Sequence, residues 1–407
     1  MIRAVLLDLD DTLISSRTQE MFAAYLEALG QHIAPALSSP EQAGRYIIDA
    51  YVTALTQYDP IRSLAERFFS AFSALVNSDD DHTRLFNAFY AEQYAKIVGP
   101  YIQPRPEAHA LLNWLADSGL QVVVATNPGL PLAAIEQRLE MGGIAPQDAR
   151  FDLVTALETM HFGKPQPEYF HEILIRLDLE AHEAIMVGND WEDDIKPALS
   201  AGLHTYWVES GKPFHSAYAG LVDAHGSLEH LLNRVQAGWL DTLQPRPTGH
   251  EVLIQRLAAF PAGVAAAIQG YPPDVLECAP ADHEWSARDI ICHLRDHDAE
   301  EDRKRLQRIL DEENPFLSAN YDPWAHAHQY IHTSARQALE EFVRFRTEMV
   351  QWLASLPAEV WARPARYAIF GPTWFGEMVR FATEHDRTHL RQIRAAIRDA
   401  TLRDGKQ

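Results

Sequence analysis

Residues 4–13 have the sequence AVLLDLDDTL, an apolar run that passes directly into a cluster of acids. Four apolar residues followed by polar ones predict a short buried β-strand. Because side chains alternate along a strand, Asp8 and Asp10 are expected to point to the same side at its carboxyl end. Two carboxylates held so close repel each other unless they share a cation, and Mg²⁺ prefers oxygen ligands. The stretch therefore predicts a strand that ends in a magnesium site.

Similar apolar runs recur through the first half of the chain and predict further buried strands. They occupy residues 122–125, 151–156, 184–187 and 205–208. Amphipathic helical stretches such as 111–115 and 169–177 separate these runs. Alternating strands and helices are typical of an α/β Rossmann-like parallel sheet, whose active sites lie at the carboxyl ends of the strands.

Residues about 17–100 interrupt this pattern between the first two strands, and the spacing of Phe22, Leu26 and Leu29 is helical. An inserted helical cap is expected there, where it would exclude water and select the substrate. The α/β pattern fades near residue 235. Residues 236–249, which contain two prolines, are predicted to be a linker after a first domain of residues 1–235.

Residues 250–400 predict helices alone. Their periodicity favours four helical segments, and Ser286 with Asp289 forms a capping box at the start of the second one. The segments lie near residues 250–270, 286–311, 333–356 and 376–399. An all-α four-helix bundle is the expected architecture.

Length and charge narrow the classes of function. A chain of 407 residues is too long for one core, and its net charge of −22 disfavours binding to nucleic acid or to an anionic membrane surface. The two cysteines, Cys278 and Cys292, are too few for a disulfide framework and predict a reducing compartment, the cytoplasm. Asp8 interrupts the first apolar run too early for a signal peptide or a membrane span.

Three further strand ends carry groups that suit phosphate chemistry. Thr126 and Asn127 follow the second strand, where a hydroxyl and backbone N–H groups would bind an anion. Lys164 follows the third strand, and its ammonium would neutralise charge on a phosphoryl group. Residues 188–194, GNDWEDD, follow the fourth strand and supply carboxylates for a metal. Together with Asp8 as nucleophile and Asp10 as acid and base, the pattern predicts phosphoryl transfer through an aspartyl-phosphate.

In this set and order, the motifs of residues 1 to about 235 resemble those of the haloacid dehalogenase superfamily, in the branch with a helical cap after the first strand. The resemblance implies that Thr126 and Lys164 hold the phosphate. It also implies a magnesium site formed by Asp8, the Asp10 backbone carbonyl, Asp190 and Asp194.

The chain departs from that family at Asn189, because the family usually has an acid directly after this glycine. We therefore assign the metal role to Asp190, with Asp193 as the reserve. Asp10 favours ester hydrolysis over dehalogenation, because a halide leaving group needs no proton. Sugar-phosphate mutases share the same branch, but they commonly carry glycine where this chain has Asp11, which favours a phosphatase.

Two histidines of the second domain, His385 and His389, stand four residues apart and would share one helix face. If the bundle brings His293 beside them, three neutral imidazoles and an open position would suit Zn²⁺ or Ni²⁺. His297 stands four residues after His293 and is an alternative ligand. Such pairs also arise by chance in a chain with 19 histidines.

Residues 250–400 resemble the DinB-like bundle superfamily at a few positions. These are Glu284-Trp285-Ser286, His293-Leu294, Gly371 and the stretch 385–390. The resemblance implies a divalent metal held by His293, His385 and His389. The characterised branches of that superfamily include thiol-dependent transferases and isomerases. We interpret Cys292 as a small core residue, and His326, His328 and His332 as loop and helix surface.

Three hypotheses follow for the whole chain. The first is a magnesium-dependent hydrolase of a small phosphorylated metabolite, fused to a metal-binding helical domain. The second makes the helical domain a metal-dependent transferase that uses a low-molecular-weight thiol, with the first domain in a supporting role. The third is a non-enzymatic metal sensor. A homodimer is a further candidate arrangement.

Overall fold

The computed structural model describes residues 1–78, 80–145, 151–210, 216–218, 220–281, 283–319 and 330–404. The chain divides into two compact units, Met1–Arg246 and Pro247–Gln407. This division falls between residues 236 and 249, where the linker is predicted.

The described strands of the first unit belong to a central sheet and a small ribbon. In chain order they are β1 (Ala4–Leu7), β2 (Ile14–Ser16), β3 (Ile102–Pro104), β4 (Gln121–Val124), β5 (Leu153–Val154), β6 (Ala184–Gly188), β7 (His204–Val208) and β8 (Ala224–Gly226). The central sheet is parallel, in the order β5-β4-β1-β6-β7-β8. The antiparallel pair β2 and β3 lies at the two ends of the cap insertion.

The register of the sheet brings the predicted motifs together. Leu7, the last residue of β1, is opposite Val124 of β4 and Val187 of β6. The chain leaves these three neighbouring strands at the same edge, so Asp8, Thr126 and the residues after Gly188 follow strand ends that meet there. The prediction of a Rossmann-like parallel sheet is confirmed.

The inserted cap is helical, as predicted. Its helices are α1 (Thr18–Ile33), α2 (Ala43–Thr56), α3 (Leu64–Val76), α4 (Thr83–Phe89) and α5 (Ala95–Val98), with a π-helical turn at Tyr90–Tyr94. Ser63 and Glu66 form a capping box that starts α3. Aromatic rings fill the interior of the cap, including Phe68, Phe72 and Phe86, which pack within 6.0 Å of one another.

The remaining helices of the first unit pack around the sheet. They are α6 (Pro106–Ser118), α7 (Leu132–Met141), α8 (Pro167–Leu177), α9 (Lys196–Ser200) and α10 (Leu228–Gln236). The third predicted strand, 151–156, is only Leu153–Val154, and the edge strand β8 was not predicted. Strands this short have too few apolar residues to show a periodic pattern.

The second unit is built on four long helical segments. Its described helices are α11 (His250–Ile268), α12 (Pro273–Glu277), α13 (Ala287–Asp296), α14 (Arg303–Asp311), α15 (Ala335–Ser355) and α16 (Phe375–Asp404). A π-helical turn, His297–Asp302, joins α13 to α14. The predicted capping box forms at Ser286, whose hydroxyl accepts the Asp289 N–H at 3.2 Å. The four-helix bundle is confirmed.

The prediction of helices alone is wrong in one region of this unit. Three short strands, β9 (Phe316–Leu317), β10 (Pro364–Tyr367) and β11 (Gly371–Trp374), form a small sheet in the order β11-β10-β9. Pro364 and Pro372 lie in these strands, and proline argues against a strand when the sequence is read locally.

Helix α11 is long and apolar enough, by length and composition, to cross a membrane. However, 61% of its apolar window is buried within the protein. The buried side chains, among them Leu253, Leu257 and Phe260, occur around the helix rather than on one stripe. A helix that is buried on several sides is typical of the centre of a helical bundle.

Candidate active site and metal centre

Two acids from separate motifs surround one lysine at the edge of the central sheet. Lys164 Nζ donates hydrogen bonds to Asp8 Oδ1 at 2.9 Å and to Asp194 Oδ1 at 2.5 Å. Lys164 and Asp194 are each 1% exposed, and Asp8 is 8% exposed. Because these charges are shielded from water, they interact more strongly than an ion pair at the surface would.

The buried surroundings of this cluster favour the neutral form of Asp8. Burial, together with the neighbouring carboxylate of Asp194, raises the pKa of Asp8 to about 7, although Lys164 opposes that shift. Burial lowers the pKa of Lys164, but the carboxylates of Asp194 and Asp8 outweigh it and raise that pKa above its ordinary value. One ammonium therefore does not fully balance the negative charge around Asp8.

A buried glutamate that sequence analysis missed holds the loop before Lys164. The Glu172 carboxylate accepts the His161 N–H at 3.0 Å and the Phe162 N–H at 3.1 Å, and it lies 2.8 Å from His161 Nδ1. Glu172 is fully buried on α8. A charged residue among the apolar positions of an amphipathic helix was the available signal, because such a residue is rarely buried without a partner.

Asp10 lies at the edge of the cap, where Arg138 of α7 forms an ion pair with its Oδ1. Arg138 is buried, and it is also a residue that sequence analysis missed. It lies on the face of α7 that carries Ala134, Ile135 and Leu139, so its charge within an apolar stripe was the signal. The Arg138 guanidinium therefore holds the carboxylate of Asp10, the predicted general acid and base.

Thr126 and Asn127 follow β4, as predicted, and each is tied to neighbouring elements. The Thr126 carbonyl accepts hydrogen bonds from Thr155 Oγ1 at 2.7 Å and from Tyr169 Oη at 2.9 Å. Asn127 Oδ1 accepts one from Tyr51 Oη of the cap at 3.2 Å. The cap therefore contacts the predicted phosphate site directly.

The fourth motif turns sharply after Gly188. A Cβ at this glycine would lie 2.3 Å from Asp194 Oδ2, so the close approach of Asp194 requires glycine. Asp190 Oδ1 accepts the N–H groups of Glu192 and Asp193 at 2.9 and 3.1 Å and caps the π-helical turn Trp191–Ile195. The Asn189 carbonyl accepts a hydrogen bond from Trp207 Nε1 at 2.9 Å. Asp194 therefore faces Lys164, while Asp190 caps the turn.

A cavity of about 710 Å³ lies between the cap and these strand ends. Asp10, Thr126 and Asn127 line it on one side. Cap residues such as Tyr25, Phe68 and Phe86 line it on the other. Its volume is within the range of small-molecule sites in proteins.

The second unit brings three predicted histidines together. His385 Nε2 lies 3.2 Å from His293 Nε2 and 3.1 Å from His389 Nε2, and the three ligand atoms all lie within 4.8 Å of one another. A tetrahedral ion with metal–nitrogen bonds of about 2.0–2.1 Å separates its ligand nitrogens by about 3.3 Å. The cluster therefore has the spacing of a three-nitrogen metal site.

Neighbouring side chains orient these imidazoles. His389 Nδ1 lies 2.7 Å from Gln392 Oε1, and if that nitrogen carries the proton, its Nε2 is left to bind a metal. The ring of Trp285 packs 5.0 Å from that of His293. Such contacts restrict ring rotation before a metal binds.

Burial keeps these histidines neutral. Burial, helped by the nearby imidazoles, lowers the pKa of His293 to about 2 and that of His389 to about 4. The pKa of His385 is lowered well below its usual range for the same reasons. Neutral imidazole is the form that binds a metal.

His297, the alternative ligand, behaves differently. Its ring stacks on that of His385 at 4.0 Å, and its Nδ1 lies 3.1 Å from Asp302 Oδ2. Burial lowers the pKa of His297, but the Asp302 carboxylate outweighs it and raises that pKa. A protonated His297 is a poorer ligand than the three neutral histidines.

Cys292 and the histidines at 326, 328 and 332 belong to the same unit. Cys292 is fully buried, and burial raises the pKa of its thiol to about 12, as expected of a core residue. His332 is exposed, whereas His326 and His328 lie outside the described residues.

Comparisons with known proteins match a different family model in each unit of the structure. Residues 2–202 match the family model of haloacid dehalogenase-like hydrolases, and residues 256–393 match that of the DinB superfamily. Glyceraldehyde 3-phosphate phosphatase of Methanocaldococcus jannaschii is 28% identical over 212 residues, 52% of this chain and 87% of that protein. Pyrophosphatase PpaX of Bacillus velezensis is 27% identical over 222 residues, 53% of this chain and 89% of that protein.

A solved structure is similar to part of this chain. It is YfiT from Bacillus subtilis, described as a probable metal-dependent hydrolase with an unusual four-helix bundle topology. The two chains are 20% identical with a TM-score of 0.34, and the match covers 40% of this chain and 93% of YfiT.

Proposed function

We propose a function from the premise that residues 2–202 belong to the haloacid dehalogenase-like hydrolases and residues 256–393 to the DinB superfamily. The protein hydrolyses a small phosphorylated metabolite through an aspartyl-phosphate on Asp8. The first domain is a phosphatase of the haloacid dehalogenase-like family. The observation that carries the mechanism is the buried cluster in which Lys164 holds both Asp8 and Asp194. We place this activity in the cytoplasm.

Mg²⁺ suits the acids around Asp8. Burial, and after it the neighbouring carboxylate of Asp194, raises the pKa of Asp8, and Lys164 only partly opposes this shift. Asp8, the Asp10 carbonyl, Asp190 and Asp194 would offer the oxygen ligands that Mg²⁺ prefers. When bound, the ion supplies positive charge for the phosphoryl oxygens.

The residues of the chain then divide the reaction between them. The Asp8 carboxylate attacks phosphorus, and the bond from phosphorus to the ester oxygen breaks. Asp10 gives its proton to the leaving alcohol and then takes one from the water that hydrolyses the aspartyl-phosphate, so inorganic phosphate is released. Thr126, Asn127 and Lys164 hold the phosphoryl oxygens through N–H and O–H donors.

The test is release of inorganic phosphate from a panel of phosphorylated metabolites, with and without Mg²⁺. Wild type is compared with Asp8→Asn, which removes the nucleophile with little change in volume. We expect release to need both Mg²⁺ and Asp8, with a loss of at least about 10³-fold in the variant. Circular dichroism checks that the variant is folded. Full activity in Asp8→Asn would overturn the mechanism, and transfer of phosphate to a second sugar hydroxyl would indicate a mutase instead.

A second function is supported for the helical domain by the spacing of its three histidines. We propose that His293, His385 and His389 bind Zn²⁺ or Ni²⁺, with an open position for water or a low-molecular-weight thiol. When bound, the ion would lower the pKa of that ligand. The alternative without catalysis is a metal sensor.

Metal analysis of the purified protein tests this assignment. His385→Ala should lose the bound transition metal, whereas the exposed His332→Ala should keep it. Thiol conjugation that disappears in His385→Ala would identify a transferase, while bound metal without turnover would identify a sensor. Equal metal content in all three proteins would contradict the site.

A further inference from the structure

The lining of the cavity of about 710 Å³ under the cap includes Asp10, the proposed acid and base. Asp10 and Thr126 line one end of it. In a phosphate ester hydrolysed at Asp8, the leaving alcohol must lie beside Asp10, because Asp10 gives it a proton. The leaving group would therefore occupy the cavity.

The walls of the cavity are mainly aliphatic and aromatic. They include Met21, Leu26, Ile47, Phe69, Leu130 and Leu157. Two of the tyrosine hydroxyls that line it bond to each other, since Tyr25 Oη and Tyr90 Oη lie 2.8 Å apart. Tyr51 Oη bonds to Asn127. These three hydroxyls are already paired within the protein, so the donors left for a sugar or another polyol come from a small set that includes Thr83, Asn87 and Tyr94.

The charges of the walls disfavour a second anionic group on the substrate. Among the described residues that line the cavity, Arg138 is the one cation, and it is already paired with Asp10. Glu66 belongs to the capping box of α3, and Glu158 accepts the Leu132 N–H at 3.0 Å. A carboxylate or a second phosphate on the substrate would therefore meet acidic side chains in this cavity rather than a free basic one.

The outer wall contains apolar side chains that a bound molecule would cover. Phe22 of α1 is 55% exposed and Ile48 of α2 is 42% exposed, and both line the cavity. Covering exposed apolar surface is favourable in proportion to its area.

We infer that the substrate is a phosphate monoester whose leaving group is an apolar alcohol, either alkyl or aryl. This inference rests on the proposed phosphatase function of Asp8. A cavity of about 150 Å³ holds a benzene ring. The present cavity of about 710 Å³ is more than four times as large, so it has room for an apolar group of at least about six carbon atoms beside the phosphoryl group.

A homologous series of alkyl phosphates tests the inference. Ethyl, butyl and hexyl phosphate have leaving alcohols of nearly equal pKa, so differences in kcat/KM report contacts with the chain rather than the chemistry. Each buried methylene group contributes at most about fourfold. We expect kcat/KM to rise at least about 20-fold from ethyl to hexyl phosphate, and glycerol 3-phosphate to be a poorer substrate than butyl phosphate. A flat series, or a preference for glycerol 3-phosphate, would overturn the inference.

Two variants on α2 test which side chains form the wall of the cavity. Ile48 lines the cavity, whereas Val52, one turn further along α2 and 50% exposed, does not. Ile48→Asp should lower the ratio of hexyl to ethyl phosphate kcat/KM at least about tenfold. Val52→Asp, which places the same charge on the same helix, should change that ratio less than twofold. Equal effects of the two variants would contradict the assignment of the wall.

Binding to Asp8→Asn separates the inference from the proposed function. Calorimetric titration of this variant with ethyl and hexyl phosphate in Mg²⁺ measures affinity without turnover. Tighter binding of hexyl phosphate supports the apolar site even if wild type releases no phosphate, a result that would contradict only the proposed reaction. Phosphate release without any preference for hexyl phosphate, in turnover or in binding, would leave the phosphatase standing and overturn the apolar leaving group.

Discussion

Asp190 and Asp194 stand four residues apart in one motif but make different contacts. Asp194 faces Lys164 from a position that only a glycine at 188 permits. Asp190 uses Oδ1 to cap the turn that carries Asp194. A metal role for Asp190 can therefore be separated from its structural role by a substitution that keeps the capping oxygen.

Asp190→Asn provides that separation. Asparagine caps helical turns about as well as aspartate, so the free energy of unfolding should change by less than about 1 kcal/mol. The loss of charge should weaken the apparent affinity for Mg²⁺ at least about tenfold, measured from phosphate release against Mg²⁺ concentration. Asp193→Asn is the matched control, with an expected change below threefold. The opposite order of effects would transfer the metal role to Asp193.

The pKa values of the histidine site predict how the metal-free protein responds to acid. The folded pKa values of His293 and His389, about 2 and about 4, lie below the ordinary 6.5 of an unfolded histidine. The unfolded chain therefore binds more protons in the range between those values and 6.5. Stability is then fully present above about pH 6.5 and is lost as pH falls below it.

We expect the free energy of unfolding of the metal-free protein to fall by at least about 1 kcal/mol between pH 7 and pH 5, since one pKa unit corresponds to about 1.4 kcal/mol. Urea unfolding of the full chain at both pH values measures it. The double variant His293→Gln with His389→Gln should show a smaller fall. An equal fall in that variant would assign the acid sensitivity to other groups.

Two π-helical turns carry key parts of the two sites. Trp191–Ile195 includes Asp194, and His297–Asp302 includes the histidine that stacks on His385. Such turns insert one residue into a helix and change the direction of the side chains after it. The interruptions in these helices therefore position functional side chains.

Arg346 connects the four long segments of the bundle. From α15 it donates to Asp298 in the turn between α13 and α14 at 2.7 and 2.9 Å, and to Asp386 of α16 at 2.6 and 2.9 Å. It also donates to the Leu257 carbonyl of α11 at 3.3 Å. Arg346, Asp298 and Asp386 are almost fully buried, and Asp386 is adjacent to His385. The cluster therefore fixes the helix that carries two of the proposed metal ligands.

Arg346→Met should destabilise the protein by about 3–5 kcal/mol, because it leaves two carboxylates buried without their partner. The loss should be smaller at pH 5.5 than at pH 8, because protonation would neutralise those carboxylates. Chemical unfolding at both pH values measures the change. Arg336→Met on the exposed start of α15 is the control, with an expected effect below about 0.5 kcal/mol. A loss equal to the control would show that the cluster contributes nothing to stability.

The whole molecule contains two compact units with separate sites, and all residues of each proposed site lie within one unit. The simplest expectation is that the two sites work independently. His385→Ala should retain at least about half of the wild-type phosphate release. Asp8→Asn should keep the full content of transition metal. Loss of phosphate release in His385→Ala, in a variant that circular dichroism shows to be folded, would instead indicate communication between the units.

Local patterns were enough to predict the parallel sheet, the helical cap, the four long helices of the bundle and the order of the motifs. Buried parallel strands form continuous apolar runs, and capping residues lie within four positions of one another, so both leave a mark in a short window of sequence. The small sheet of the second unit was missed because its strands are short and contain proline.

Tertiary structure decided the contacts between distant parts of the chain. Arg138 pairs with Asp10 across 128 positions, Tyr51 reaches Asn127 across 76, and Arg346 reaches Asp298 across 48. No local period predicts such pairs, because packing of the folded elements brings them together. The apolar character of the cavity has the same origin, since its walls come from the cap helices and from the loops after the strands. Sequence thus indicated the kind of chemistry proposed at Asp8, whereas the inference about its leaving group rests on the folded structure.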